Sequence, residues 1–161
     1  MNPTLNRNAA LLLQAIVVLL GLGVLAFLLG EPHLEGRNAH ATPVEIYFHD
    51  PFLAYVYVGS IPFFIALLRA FALLRDVRQT GAFSPATVNA LRTIKHCALA
   101  VIGFVAGAVV IILVFGDPDD RPAGIFMSFL VICASSTAAT AAAISARKLR
   151  AALGRSGAGR V

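Results

Sequence analysis

Three histidines, His33, His40 and His49, stand in one stretch with Glu31, Glu35, Glu45 and Asp50. Imidazole and carboxylate are donors that zinc and copper accept. Their spacing matches no metal motif, and no two histidines stand at the four-residue helical interval of a metalloprotease site. A solvated acidic loop is the expectation. Asp117, Asp119 and Asp120 raise the question of calcium, but a calcium loop of the helix–loop–helix type needs about twelve residues and a closing glutamate. A solvated turn is expected there too. Ser60, Ser128, Ser135 and Ser136 have no evident base, and hydroxyls in apolar helices mostly bond to backbone. His96 has no carboxylate neighbour in sequence. The chain carries no phosphate-binding glycine loop, no Gly-x-Ser-x-Gly elbow and no zinc-protease pair. The expectation is a protein that is not an enzyme, with no cofactor, no metal and no catalytic residue.

The elements that would position any site are legible from hydropathy. Of the 161 residues, 58% are hydrophobic and 13% charged, against about a quarter charged in an ordinary soluble domain. Windows of about 19 residues give four apolar segments, at 9–29, 52–74, 97–115 and 124–146. They consume most of the chain, so one membrane domain over 1–161 is expected, all-α, as a bundle of four membrane-spanning helices. Cys97 and Cys133 fall inside the spans, which argues against a disulfide framework. A secretory signal peptide is the competing reading of the first segment. Its apolar run is too long for a signal core, and the cleavage-like Ala39-His40-Ala41 lies too far downstream.

The net charge of +5 is not spread in the way nucleic-acid binding requires. Eleven of the 13 lysines and arginines lie in the N-terminus, the middle connection taken from Arg69, and the C-terminal tail; only Arg37 and Arg121 lie in the other two connections. Seven of the eight acids lie with those two, leaving Asp76 on the basic side. Because Lys and Arg are retained in the cytoplasm, both termini and the middle connection are expected inside, facing anionic lipid headgroups. No direct nucleic-acid contact is expected.

The longest uninterrupted helix should run from Pro85 to Phe115. Ser84 suits the cap, where its side chain can accept from the first free amides, and Pro85 the first helical position. About 31 residues make roughly 46 Å, whereas ~20 residues cross a bilayer core. The third helix is therefore expected to extend into the cytoplasm. On its projecting turns Val88, Leu91 and Ile94 share one face, with Arg92 and Lys95 polar beside them. This face either packs on the neighbouring helix or docks a partner. In the second span Pro62 should bend the helix, with Ser60 or a neighbour satisfying the freed carbonyl. Arg69 lies well before that span's end. It either snorkels to the inner interface or makes an inward polar contact. Tyr47, Tyr55 and Tyr57, with Phe48 and Phe52, read as an aromatic belt at the outer interface. Gly21, Gly23 and Gly30, and the pair Gly103 and Gly107, suit close helix contact. In the fourth span Ala134–Ala146 is nearly all small, and that half should be buried. The helix should continue to about Leu153, with a flexible tail over 154–161.

One string of residues goes further. Ile61-Pro62-Phe63-Phe64-Ile65-Ala66-Leu67, then Ala70-Phe71, Leu73-Leu74, Ala82-Phe83-Ser84, Val88, Ala90-Leu91, Ile94-Lys95 and Cys97-Ala98 resembles the small bacterial membrane family known as domain of unknown function 2975. The likeness resumes at Asp119-Asp120 with Pro122 and at the alanine-rich run ending in Lys148-Leu149. It covers about 52–153. The resemblance implies architecture but no activity or ligand. Members of that family are often encoded beside a small helix-turn-helix regulator, so the resemblance also implies a protein partner of that kind. The functional expectation is a regulatory or scaffold protein of the bacterial inner membrane that presents a basic cytoplasmic face. The alternative is a small transporter or channel, oligomeric if need be, with Arg69 and the Ser136 and Thr140 hydroxyls lining a path. The orientation has a direct test. In intact cells, an impermeant thiol reagent should modify a cysteine placed at Asn38 and spare one at Thr80; the reverse pattern overturns the cytoplasmic assignment.

Overall fold

A computed structural model describes residues 3–34, 51–80 and 84–158. They form four helices: α1 (Pro3–Leu34), α2 (Pro51–Thr80), α3 (Pro85–Phe115) and α4 (Arg121–Ala158). No strand occurs among the described residues. Each helix contains a stretch long and apolar enough to cross a membrane. In hydrocarbon no water is present to satisfy free backbone groups, so an apolar chain of this kind closes its hydrogen bonds within helices.

The contacts give the topology. Gln14 meets Phe71, Gly21 lies on Leu67 and Leu28 meets Tyr57, so α1 and α2 are antiparallel. Tyr55 and Gly59 both meet Phe104, while Arg69 lies within electrostatic reach of Cys97, so α2 and α3 are antiparallel as well. Ile112 lies on Gly124, and Leu91 shares a cleft with Ala146, so α4 returns along α3. The helices pack principally in chain order, α1 on α2, α2 on α3 and α3 on α4. Four antiparallel spans place the first and last helix ends on one side. Arg75, Arg78, Arg92, Lys95, Arg147 and Arg150 share that end, called here the basic end.

Because α1 and α4 each pack mainly on one neighbour, each hides one stripe. In α1 it runs through Ala10, Gln14, Val17, Gly21, Val24 and Leu28, with most of the intervening leucines and isoleucines exposed. That alternation of three and four residues is the spacing of left-handed helix pairs. In α4 the stripe includes Ser128, Ser135, Ala139, Ala142 and Ala146. The exposed residues between are mostly apolar and suited to lipid. The whole small-residue half of α4 is thus not buried: Ser136, Thr137 and Thr140 are exposed, and Thr137 bonds back to the Cys133 carbonyl at 2.9 Å. Size alone does not place a residue in an interface, since a helix with one neighbour covers one face.

Other expectations change in detail. Helix α3 has the expected limits, but extension past the membrane is not peculiar to it. α2 runs through the expected middle connection to Thr80, and α4 spans 38 residues, roughly 57 Å. α4 also continues past Leu153, where the sequence reading ended it, to Ala158. Ala151, Ala152, Leu153 and Arg155 are strong helix formers and offset the roughly 1 kcal/mol that Gly154 costs. Similarly α1 reaches Leu34, taking in the first residues assigned to the outer loop. At the start of α3 Ser84 is the cap, in a reciprocal capping box with Thr87. Its amide donates to Thr87 Oγ1 at 3.2 Å, and the Thr87 amide donates to the Ser84 carbonyl at 3.0 Å. In α2 the Ser60 hydroxyl bonds to the Tyr57 carbonyl at 2.7 Å. The carbonyl released by Pro62 belongs to Val58, only two residues before Ser60, whereas a helical serine reaches back three or four.

The tyrosines give the main correction. Tyr55 and Tyr57 are half-buried, and each ties α2 to a neighbour. The Tyr55 hydroxyl donates to the Phe104 carbonyl at 2.9 Å, and Tyr57 donates to the Leu28 carbonyl at 2.7 Å. A buried phenol needs a partner, and a neighbouring helix carbonyl supplies one where the bilayer has none. Tyr47 and Phe48 lie outside the described residues. The Tyr55 hydroxyl occupies the notch left by Gly107, whereas Gly103 has open space where a side chain would begin. Likewise Gly21 is a contact position, and Gly23 and Gly30 are open. Gly107→Ala should therefore push Tyr55 from its bond and cost about 1–3 kcal/mol. Gly103→Ala should be neutral or stabilise by up to about 1 kcal/mol. Thermal unfolding in detergent separates them; equal responses contradict this packing.

Candidate functional site

At the basic end, α3 and α4 border an open cleft of about 190 Å³. Its walls carry Arg92 and Lys95 from α3, and Arg147 and Arg150 from α4. Leu91, Ala142, Ala143 and Ala146 form the apolar remainder. No carboxylate lines it. Arg92, Arg147 and Arg150 are exposed and Lys95 is half-buried. None of these four cations has a carboxylate partner among the described residues.

Both helices shape the cleft by their sequence. On α3, Leu91, Arg92 and Lys95 cover three- and four-residue steps, so they lie one above another on the surface. On α4, Ala142 and Ala146 are less than a tenth exposed and fix the approach to α3. Small residues there let the backbones come close while the arginines one turn beyond point past the seam. Arg147 and Arg150 stand at the C-terminal side of the apolar run. Arg92 and Lys95 stand just before the apolar run that opens at Cys97. The cleft thus sits at the level where the spans leave the hydrocarbon.

The five residues singled out on the projecting turns separate here. Val88 is 6% exposed and packs inside the bundle beside the buried Thr87. Its side chain falls on the seam that α3 turns toward its neighbours. Leu91 and Ile94 are half-buried. Leu91, Arg92 and Lys95 line the cleft, and Ile94 does not. Arg69 is exposed, at the level of Cys97, and does not line the cleft. Ser136 and Thr140 are exposed and do not line this cleft either. The outer-loop residues His40, His49, Glu35 and Glu45 lie outside the described residues, and so do the side chains of Glu31 and His33. Among the described residues no three His, Cys, Asp or Glu gather as metal ligands. Around the acidic turn, the Asp119 amide bonds to Asp117 Oδ1 at 3.2 Å, and Arg121 Nε donates to the Gly116 carbonyl at 3.1 Å.

Sequence reasoning overlooked Gln14. It is 6% exposed, and its amide nitrogen lies 3.5 Å from the Phe71 carbonyl, a long contact between α1 and α2. The signal was available: Gln14 is the one amide in an apolar run, seven residues before Gly21 and fourteen before Leu28. A second cleft, between α1 and α2, is lined by apolar residues such as Val17, Leu25, Phe64 and Phe71. It offers no polar chemistry.

Four spanning helices with one basic end define the class of the molecule: a polytopic, all-helical membrane protein. More narrowly, residues 33–154 match the family described as protein of unknown function DUF2975, and the chain belongs to that family. It is 33% identical over 150 residues to the uncharacterized membrane protein YoaS of Bacillus subtilis (strain 168), covering 92% of this chain and 94% of that one. The match therefore reaches beyond the string that carried the resemblance and includes most of the first helix. No solved structure matches.

The α3–α4 seam is testable through its alanines. Ala142→Leu should overpack it at about 1–3 kcal/mol, whereas Ala141→Leu, next in sequence but exposed, should not destabilise. If melting in detergent responds alike to both, α4 is rotated relative to this description.

Proposed function

We propose that the protein is a non-enzymatic regulatory or scaffold component of the bacterial plasma (inner) membrane, with both termini and its basic end in the cytoplasm. That end presents itself to an acidic protein partner. The observation that carries this reading is the concentration there of cations without carboxylate partners among the described residues. Arg92, Lys95, Arg147 and Arg150 surround the cleft, and Arg75 and Arg78 stand on the last turns of α2. A helix needed only to span could stop at the membrane surface. Here α2, α3 and α4 all continue past it, and this continuation makes a platform of three helix ends. Charges on such a platform steer encounters and set specificity more than they add affinity. A small helix-turn-helix regulator with an acidic face is one partner of the required chemistry.

Co-purification in mild detergent, with tagged full-length protein from native membranes, identifies the partner by mass spectrometry. Charge reversal by Arg75→Glu with Arg78→Glu should then abolish its recovery while abundance and melting temperature stay unchanged. Leu91→Glu should do the same if Leu91 contributes to the docked surface. Loss of stability along with the partner in both variants would show that these side chains serve the bundle, and would overturn the docking reading.

A further inference from the structure

We infer that the cleft between α3 and α4 binds the phosphate of an anionic phospholipid headgroup, with phosphatidylglycerol the simplest lipid of that kind. The inference concerns the same basic end but does not depend on the protein partner proposed above.

Three observations converge on it. The first is charge: two helices bring Arg92, Lys95, Arg147 and Arg150 to one cleft with no carboxylate in its lining. Like charges gathered without a counter-ion oppose the packing that gathers them, so an anion in the cleft stabilises both the ligand and the seam. Guanidinium groups present forked donors that match phosphate oxygens, and the Lys95 ammonium adds a mobile point charge.

Depth is the second. Arg92 and Lys95 directly precede the apolar run beginning at Cys97, and Arg147 directly follows the one ending at Ala146. The four cations therefore stand at headgroup level, where a bilayer phosphate is already held in place. Basic pockets between membrane helices at this depth are suited to anionic headgroups.

The third is the mixed lining. Ala142 and Ala143 make the α4 wall apolar on the membrane side of Arg147 and Arg150 and give the cleft its floor. A phospholipid has the matching sequence of groups, phosphate above and glycerol and acyl chain below. A free phosphate would use only the charged half. An acidic peptide would have to descend to the hydrocarbon boundary to reach the floor. At about 190 Å³ the open cleft accepts a headgroup phosphate and leaves the acyl chains along the outside of α3 and α4.

The experiment is a lipid titration of purified full-length protein in mild detergent, with bound lipid resolved by native mass spectrometry. Phosphatidylglycerol should bind more tightly than phosphatidylcholine. Arg92→Gln with Arg147→Gln, both exposed positions on helices, should weaken phosphatidylglycerol by roughly tenfold or more. Ala143→Leu keeps every charge but fills the floor, and it should weaken the same lipid while phosphatidylcholine stays unchanged. Arg75→Gln with Arg78→Gln removes two cations of the same end outside the cleft and should leave the titration unaltered. An equal loss in that last variant would mean diffuse attraction and overturn the site. Equal binding of the two lipids would overturn it too, and so would full displacement of phosphatidylglycerol by inorganic phosphate, which would mark a soluble-anion site. Since no partner protein is present, none of these results bears on the docking proposal.

Discussion

Between Phe115 and Arg121 the chain reverses within Gly116–Asp120, and this short turn leaves α3 and α4 little freedom of register. The Gly116 amide closes α3 onto the Ile112 carbonyl at 2.9 Å. The Arg121 amide then bonds to the Asp117 carbonyl at 3.1 Å, and the Gly124 amide to that of Asp120 at 3.1 Å, which starts α4 at once. Ile112 lies on Gly124 just beyond. Two antiparallel helices leaving such a turn must pair residues equally distant from it. Leu91 and Lys95 accordingly reach the level of Ala142 and Ala146, and the arginines flanking them arrive together. The cluster of cations at one end is thus a consequence of helix lengths and one tight turn at the other.

The same end-to-end logic governs α2. Its tyrosines act near the acidic end, where Tyr55 and Tyr57 bond to carbonyls of α3 and α1. Each such bond is worth about 1 kcal/mol net, and breaking one in hydrocarbon leaves a hydroxyl with no water to turn to. They fix how α2 meets its neighbours. At the other end α2 carries Arg75 and Arg78 out beside the cleft. Close packing is not confined to the tyrosine side, for Thr87, Val88, Ala142 and Ala146 are all less than a tenth exposed near the basic end.

How much of this the sequence disclosed follows from what hydropathy measures. Span number, the limits of α3 and the division of charges were legible because each rests on the difference between apolar and charged residues. Rotation about each helix axis was not. In α1 nearly every residue is apolar, so nothing but Gln14 and Gly21 marks the stripe facing α2. In the small-residue half of α4, Ala142 and Ala141 are identical side chains on opposite sides of an interface. Gly103 and Gly107 likewise look equivalent until a tyrosine from another helix fills one notch and not the other. Of the projecting face, Arg92 and Lys95 could be read as exposed, but the burial of Val88 depends on its neighbours in space. The partners of Arg92 and Lys95 across the cleft depend on the register, and the register is set by a turn whose sequence shows only a solvated acidic connection.

The pairing of α3 with α4 is the relation from which the cleft and both functional readings follow, so proximity across it is the most direct test. With Cys97 and Cys133 replaced by alanine, Leu91→Cys combined with Ala146→Cys should join within one chain on treatment of membranes with a short bifunctional thiol reagent. Leu91→Cys combined with Ala134→Cys, about three turns nearer the acidic end, should not. Cross-linking of the second pair in preference to the first would contradict the register and dissolve the basic cleft with it.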